Sequence, residues 1–493
     1  MKVSDFIHNS KKYLIALFIV LVLGIGASVC FASSSGKTNT SDEKKKREYM
    51  ELMNSVFDYV SRNYVEEIDS KVLYEGAMKG MLESLGDPYT TYLNEKDWSS
   101  LSDTTVGNFG GVGLSISKPA VSTAEKPAYV EVASPIEDSP GFKAGIQAGD
   151  LIIAINGEDT ASITMDEVLS RLRGTVGESV TVTIRRGKNI EFDKTLVRAV
   201  IEVPTVKYGM LNKSGYLRII EFTPNTASRV QEALDSFKEN NFTSLIIDLR
   251  NNPGGLITSV VDVADKFIDE GPIVSTKSRL SFENSVYTAS EKKTTMPKNI
   301  PIIVLINKGS ASAAEILSGA LKDNHLAYLI GERTYGKGSV QQPIPLPNKD
   351  GFKMTIARYY TPSDTNIDKI GIPPDLEVKY PEFTEQEEKA FLDLANENVI
   401  AKYVEAHPNM SEAQISAYAS SLAVNYKLER RVLRKLIRNE VEHTKPARLY
   451  DLDYDIQLNE ALKILEKGNF KTLVKNTKTL KQLQTEAENA QPE

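Results

Sequence analysis

Histidine and cysteine are nearly missing from this chain. Its 493 residues hold four histidines, His8, His325, His407 and His443, and one cysteine, Cys30. A single cysteine closes no internal disulfide. Histidines this scattered, with no cysteine cluster, provide no metal centre, and no cofactor is expected. A Ser-His-Asp arrangement would have to recruit one of the four. His8 precedes an apolar segment, and His407 and His443 lie in a charged helical tail. His325 follows a serine-rich stretch on the same helix-to-loop segment, and no G-x-S-x-G elbow is present. A strong charge of one sign is lacking as well. With 59 basic and 66 acidic side chains the net charge is −7, so no global field recruits nucleic acid and none is expected as a partner.

The positive features begin with Tyr13 to Ala32, an uncharged apolar run about as long as a bilayer-spanning helix requires. Lys11 and Lys12 precede it, which keeps the short N-terminus in the cytoplasm and exports the chain beyond Ser33. The run is expected to be a retained anchor; Cys30-Phe31-Ala32 would also allow cleavage as a signal segment, leaving a secreted or periplasmic protein. A polar linker comes next. Tyr49, Leu52, Met53, Val56 and Val60 then recur at helical spacing, as do Val72, Leu73, Ala77, Met78, Met81, Leu82 and Leu85, with Gly86-Asp87-Pro88 as the stop. Such stripes serve as packing surface, and a helical cap outside the main core is a candidate meeting point for a homodimer.

From Gly107 the texture turns to short β-rich runs. Gly110 to Ile116 is a glycine-rich loop leading into a strand, and Ala144-Gly145-Ile146-Gln147-Ala148-Gly149-Asp150 leads into Leu151 to Gly157. This stretch resembles a PDZ domain, whose physics is capture of a peptide by strand addition, with backbone N–H groups receiving a terminal carboxylate. Gly111, Val112, Gly113 and Leu114 are the candidate carboxylate-binding residues, although a glycine-rich turn is as often only a turn. Arg173, at the end of the next helix, is a candidate for reporting tail occupancy to the rest of the chain; most helix-end arginines merely satisfy carbonyls.

Strands then alternate with helices. The apolar runs Ser244 to Leu249 and Ile302 to Ile306 are each followed by a turn, Asn251-Asn252-Pro253-Gly254-Gly255 and Asn307 to Ser312. In an α/β core, turns after parallel strands face one cleft. Ser312 opens a helical stretch among small residues, and Lys337 stands between two glycines downstream. A lysine kept neutral by burial can take a serine's proton, so the pair suggests a Ser/Lys hydrolase. Gly331 to Lys337 also copies most of a P-loop. That reading fails because Gly338 stands where the magnesium-binding hydroxyl belongs, and Ser339 to Pro345 cannot form the phosphate-holding helix.

Taken in order, these motifs resemble the carboxyl-terminal processing peptidases, also called tail-specific proteases, from about Tyr49 to Val378. The likeness adds Leu85 to Leu93 as the end of the helical entry, Gly331 to Gln341, Tyr360 to Ser363 and Gly371 to Asp375. It implies a serine endopeptidase that engages C-terminal tails of protein substrates and works through an acyl-enzyme. It places the nucleophile at Ser312 rather than Ser310, the general base at Lys337, and an amide that orients the lysine at Gln341. The oxyanion would be held by the N–H of Ala313 and that of Gly254 or Gly255. Asp323 matches an acidic position of some members and is read as structural. Where glycine is expected after Pro362-Ser363, Asp364 stands. The alternative is a catalytically inactive, membrane-anchored PDZ scaffold that only binds tails. The expected fold is multidomain α+β. It comprises a cytoplasmic N-terminus (1–12), an anchor or signal segment (13–32), a linker (33–46), a helical module (47–105) and a PDZ domain (106–200). A peptidase core with a mixed sheet (201–380) and a C-terminal helical region (381–493) complete it.

Overall fold

The computed structural model describes residues 40–106, 108–119, 123, 127–136, 139–147, 149–187, 190–202, 204–442 and 448–489. The expected anchor at 13–32 lies outside them. Among the described residues no helix is long and apolar enough to cross a membrane. The chain is a multidomain α+β protein, with N-terminal helices, a PDZ domain, an α/β core and C-terminal helices.

The N-terminal unit holds the helices Thr40–Asn63 and Ser70–Glu83. The first takes in part of the stretch expected as linker, because Asp42 and Glu43 in its first turn suit the positive end of a helix dipole. Its apolar stripe is uncovered: Tyr49 is 65% exposed, Leu52 62% and Tyr59 70%.

In the second unit, which begins at Leu85, the PDZ sheet places Leu114–Ser117 at one edge beside Val130–Pro135, followed by Leu151–Ile155, Ser179–Arg186 and Ile190–Val197. Val130, Val132, Ile152, Ile155, Val182 and Ile184 fill its core, and Val168 and Leu172 of the helix Met165–Leu172 pack onto them. A Thr164–Glu167 capping box starts that helix.

Among the described residues the sheet of the α/β core runs Val206–Leu211, Ser214–Ile219, Ser244–Asp248, Ile302–Ile306, Ala327–Gly331, Leu376–Glu377. The first pair is antiparallel and the rest are parallel. Alternation along its strands explains the layers. Leu245, Ile247, Ile302, Val304 and Ile306 face the helices Thr226–Glu239, Ile257–Ala264 and Ala313–Asp323. Ile246, Ile303 and Leu305 face the other way, onto Leu458, Ala461 and Ile464 of Ile456–Glu466 and Phe470 of Phe470–Lys475. The late C-terminal helices are therefore a layer of the core, while the helices from Glu385–Asn396 to Arg430–Val441 form a cluster of their own. Arg250 fastens the two parts of the core, with its guanidinium 2.6 Å from both Asp248 and Asp455.

A second sheet contains Pro272–Ser278, Ser339–Pro345 and Gly351–Tyr360. Thr91–Leu93 pairs antiparallel with Gly351–Tyr360, so the expected helical module (47–105) contains an edge strand of this sheet beyond its Gly86-Asp87-Pro88 stop. Ser339–Pro345 is a strand, which leaves the P-loop pattern without its helix. Asp364 adopts φ +58, the left-handed turn in which glycine is expected and aspartate is among the better-tolerated substitutes.

Candidate active site

Parallel strands put their carboxyl ends on one side, and three of them deliver the turns of a single cleft. After Ser244–Asp248 and Ile302–Ile306, two asparagines clasp the turns. The Asn251 N–H donates to Asn307 Oδ1 at 2.9 Å, and Asn307 Nδ2 donates to Asn251 Oδ1 at 3.0 Å. The Ala311 N–H donates to the carbonyl of the buried Asn252 at 2.9 Å. The Ser310 hydroxyl is spent on the turn, donating to Leu249 O at 2.8 Å and accepting from the Asn307 N–H at 3.0 Å. Ser312 differs. It opens Ala313–Asp323 with φ +53 and ψ −114, a conformation that non-glycine residues rarely adopt and that clusters at functional sites. His325 lies beyond the far end of this helix, about 16 Å away by its eleven-residue length, and contacts Thr477.

The third turn, after Ala327–Gly331, carries Lys337. Glu315 brings it to the serine. This side chain is 0% exposed, and its Oε2 accepts both the Ser312 N–H and the Lys337 N–H at 2.9 Å. The two amide nitrogens are therefore no farther apart than twice that distance. Oε1 accepts the Gly336 N–H at 2.7 Å and the Thr334 hydroxyl at 2.5 Å. Burial pushes this carboxyl up from its ordinary value, against the hydrogen bonds from Thr334, Lys337, Gly336 and Ser312 that hold it down. Tyr359 closes the other side, its hydroxyl donating to Lys337 O and lying 3.3 Å from Ser312 O. The Gly371 to Asp375 motif braces the lysine turn: the Ile372 N–H donates to Thr334 Oγ1 at 2.7 Å, and Asp375 pairs with the buried Lys322 of the serine helix.

The Lys337 side chain is half-buried, and desolvation, then the charge of Lys353, lowers its pKa, against the attraction of Glu315 and Asp87. Its ammonium lies 4.9 Å from the ring centre of Tyr89. Among the described residues no hydrogen bond joins it to Ser312 or to Gln341. Gln341 Nε2 donates instead to Ser339 Oγ at 2.8 Å and Thr355 Oγ1 at 3.2 Å. Asp323 accepts the Ser363 and Leu480 N–H groups at 3.0 and 2.8 Å, which ties down the last helix.

Gly254 closes on the serine. A Cβ built there would stand 2.7 Å from Ser312 Cβ and 3.0 Å from Ala313 N, at φ +108. Its N–H donates to Asn252 Oδ1 at 2.8 Å, whereas among the described residues neither Gly255 N–H nor Ala313 N–H has a partner. A methyl group at 254 would crowd Ser312 and the Ala313 N–H. Gly254→Ala is expected to lower kcat/KM at least ~10²-fold, the scale of losing one oxyanion donor. Steady-state cleavage beside a thermal melt of the variant checks this.

Comparison with known proteins matches the same architecture. The "Peptidase family S41" description fits residues 213–378, a PDZ domain 131–186, and "Activating protease CtpB N-terminal domain" 26–97. The carboxy-terminal-processing protease of Bartonella bacilliformis is 38% identical over 368 residues, covering 74% of this chain and 82% of that protein. The chain belongs to the carboxy-terminal processing proteases. The Bacillus subtilis carboxy-terminal processing protease CtpA is 32% identical, with 76% of this chain and 79% of that one covered. The Synechocystis carboxyl-terminal-processing protease is 37% identical, with 62% and 71% covered. The chain is thus a serine-type peptidase with a PDZ domain.

In this processing protease the PDZ residues lie where the edge strand begins. Gly111 pairs with Ala199, and Leu114 with Pro135. Between them Val112 O accepts the Gly141 N–H at 2.8 Å and Gly113 O accepts the Ser139 hydroxyl at 2.9 Å, while the Val112 and Gly113 N–H groups have no partner among the described residues. The Arg173 guanidinium stacks 4.5 Å over Phe109, on the strand leading into this turn. Three residues around Ser312 and Lys337 escape sequence reasoning. Glu315 follows Ser312 at the spacing of an ordinary helix capping box, Tyr359 stands one residue before a motif, and Tyr89 lies just past the Gly86-Asp87-Pro88 stop.

Proposed function

We propose that this protease cleaves exported polypeptides with a Ser312/Lys337 dyad, after its PDZ domain has taken up the substrate's C-terminal tail. The observation that carries the reading is the shared Glu315 oxygen, which fixes the backbones of Ser312 and Lys337 to one point of a buried carboxylate. Neutral Lys337 takes the hydroxyl proton as Ser312 attacks the scissile carbonyl. The Ala313 N–H with that of Gly254 or Gly255 receives the oxyanion, of which Gly255 has its N–H unengaged among the described residues. The protonated lysine then serves the leaving amine, and water hydrolyses the acyl-enzyme by the reverse route. In this reading Gln341 supports the lysine turn through Ser339.

Tail capture is supported by the open edge of Leu114–Ser117 and the unengaged N–H groups of Val112 and Gly113, which suit strand addition by a peptide ending in a carboxylate. Arg173 on Phe109 is the contact through which occupancy would reach the core. Export and membrane attachment rest on the apolar run at 13–32 behind Lys11 and Lys12. The uncovered stripe of the N-terminal helices supports a homodimer, a reading that a monomer in sedimentation velocity would remove. The inactive-scaffold alternative has no support in a chain that retains both dyad residues.

The test is cleavage of an unfolded, apolar-tailed polypeptide with a free C-terminal carboxylate against the same chain amidated at its end. The carboxylate form is expected to be cut at least about tenfold faster, the scale of one charged hydrogen-bonded contact. Equal rates would remove tail capture from the mechanism.

A further inference from the structure

The amine proposed as the base does not lie on the hydroxyl it must deprotonate; it lies on an aromatic ring. Lys337 Nζ is 4.9 Å from the Tyr89 centroid. The ring is set there from several sides. Asp87 accepts the Tyr89 N–H at 3.0 Å and the Thr90 hydroxyl at 2.6 Å, and Thr90 Oγ1 accepts the Thr355 N–H at 3.1 Å. Thr91–Leu93 then pairs with Gly351–Tyr360, the strand whose Tyr359 hydroxyl binds Lys337 O. Ring and lysine backbone thus hang from one strand.

We propose that Tyr89 is a positioning residue whose ring face holds the Lys337 ammonium clear of Ser312 until substrate fills the cleft, and then releases it to the hydroxyl. The proposal rests on the Ser/Lys reading and goes beyond it. A ring quadrupole attracts the ammonium and not the neutral amine, so the contact favours the charged form and is lost when the lysine becomes a base. Other groups divide the same way. Glu315 from the serine helix and Asp87 from the Tyr89 segment favour the ammonium, while desolvation and Lys353 on Gly351–Tyr360 favour the neutral amine. Burial and the hydroxyl of Tyr335, with Asp368 and Asp87 nearby, raise the Tyr89 phenol to about 12, so the ring stays neutral across the working range. A single cation–π contact is worth about 0.5–2 kcal/mol, small enough for substrate binding to tip the exchange.

The decisive measurement needs no turnover. In full-length Ser312→Ala protein, the rate at which Lys337 reacts with acetic anhydride is followed against pH by mass spectrometry of its peptide. Tyr89→Phe is expected to leave the titration midpoint in place, and Tyr89→Leu to lower it by about half to one pH unit, the span of one cation–π contact. Should Tyr89→Leu not fold, phenylalanines carrying one, two and three ring fluorines at position 89 keep the shape and weaken the quadrupole, and the midpoint is expected to fall stepwise. With Ser312 restored, the acid limb of kcat/KM should move with the midpoint while KM stays. A midpoint indifferent to leucine and to fluorination overturns the role of Tyr89 and leaves the dyad standing. Hydrolysis that survives in Lys337→Ala overturns the dyad itself, and the proposal with it.

Discussion

Ser312→Ala and Lys337→Ala are each expected to bring peptide hydrolysis down by about 10⁶-fold, with neither variant losing its fold. In the proposed mechanism the two residues work as one unit and fail together: without the hydroxyl no acyl-enzyme forms, and without the amine nothing accepts the proton in time. Lys337→Arg separates base from bystander. It keeps the positive charge and can still stack on Tyr89, yet a guanidinium does not deprotonate in proteins, so it should be as inactive as alanine. An arginine variant with more than a few per cent of activity would mean that the charge at 337 matters and its proton does not. The pH profile gives the sign independently. Burial and Lys353 hold the lysine below its ordinary value of about 10.4, so kcat/KM should climb as pH rises through the lowered pKa if the neutral amine is the base, as proposed. A profile falling from neutral to mildly alkaline pH would contradict this.

How far the sequence carries depends on the range of each interaction. The strands Ser244–Asp248 and Ile302–Ile306 are legible because full burial on both faces writes a continuous apolar run. Ser310 and Ser312 can be told apart in the sequence only by resemblance; in the structure Ser310 is bonded on both sides and Ser312 carries the positive φ. The C-terminal helices show an apolar stripe at Leu458, Ala461 and Leu465, but a stripe says that a face is buried and not against what. That Leu458 and Ala461 meet Ile246 and Ile303 is a contact across some two hundred residues, anchored by Arg250 and Asp455. Thr91–Leu93 lies past the Gly86-Asp87-Pro88 stop and is too short for a period to show, so the sequence gives no sign of a strand inside the expected module at 47–105. The strand's consequence, Tyr89 set beneath the lysine, is therefore invisible in the sequence.

Glu315→Gln is expected to cut kcat by about 10²-fold or more with little change in KM, a large effect for an isosteric exchange of a residue that touches no substrate. The reason is the donor count. Both carboxylate oxygens face two donors each: the N–H groups of Ser312 and Lys337 on one, the Gly336 N–H and Thr334 hydroxyl on the other. Glutamine offers one acceptor, and whichever way it turns, its NH₂ confronts an N–H from the lysine turn, Lys337 in one orientation and Gly336 in the other. Unsatisfied buried donors cost about 1–3 kcal/mol each, and the turns relieve that by moving apart. In the proposed mechanism a shift of about 1 Å between Ser312 and Lys337 is enough to lose about 10²-fold in rate, while the PDZ domain is untouched. Glu315→Ala removes every acceptor and should unfold the site, lowering the melting temperature as well as the rate. Glu315→Asp restores two oxygens on a shorter stem and should recover part of kcat. If glutamine proved as active as the parent, the alignment of serine and lysine would have to come from the other ties between the two turns, the Tyr359 hydroxyl on the carbonyl side of both residues and the Tyr335 N–H on Ser310 O.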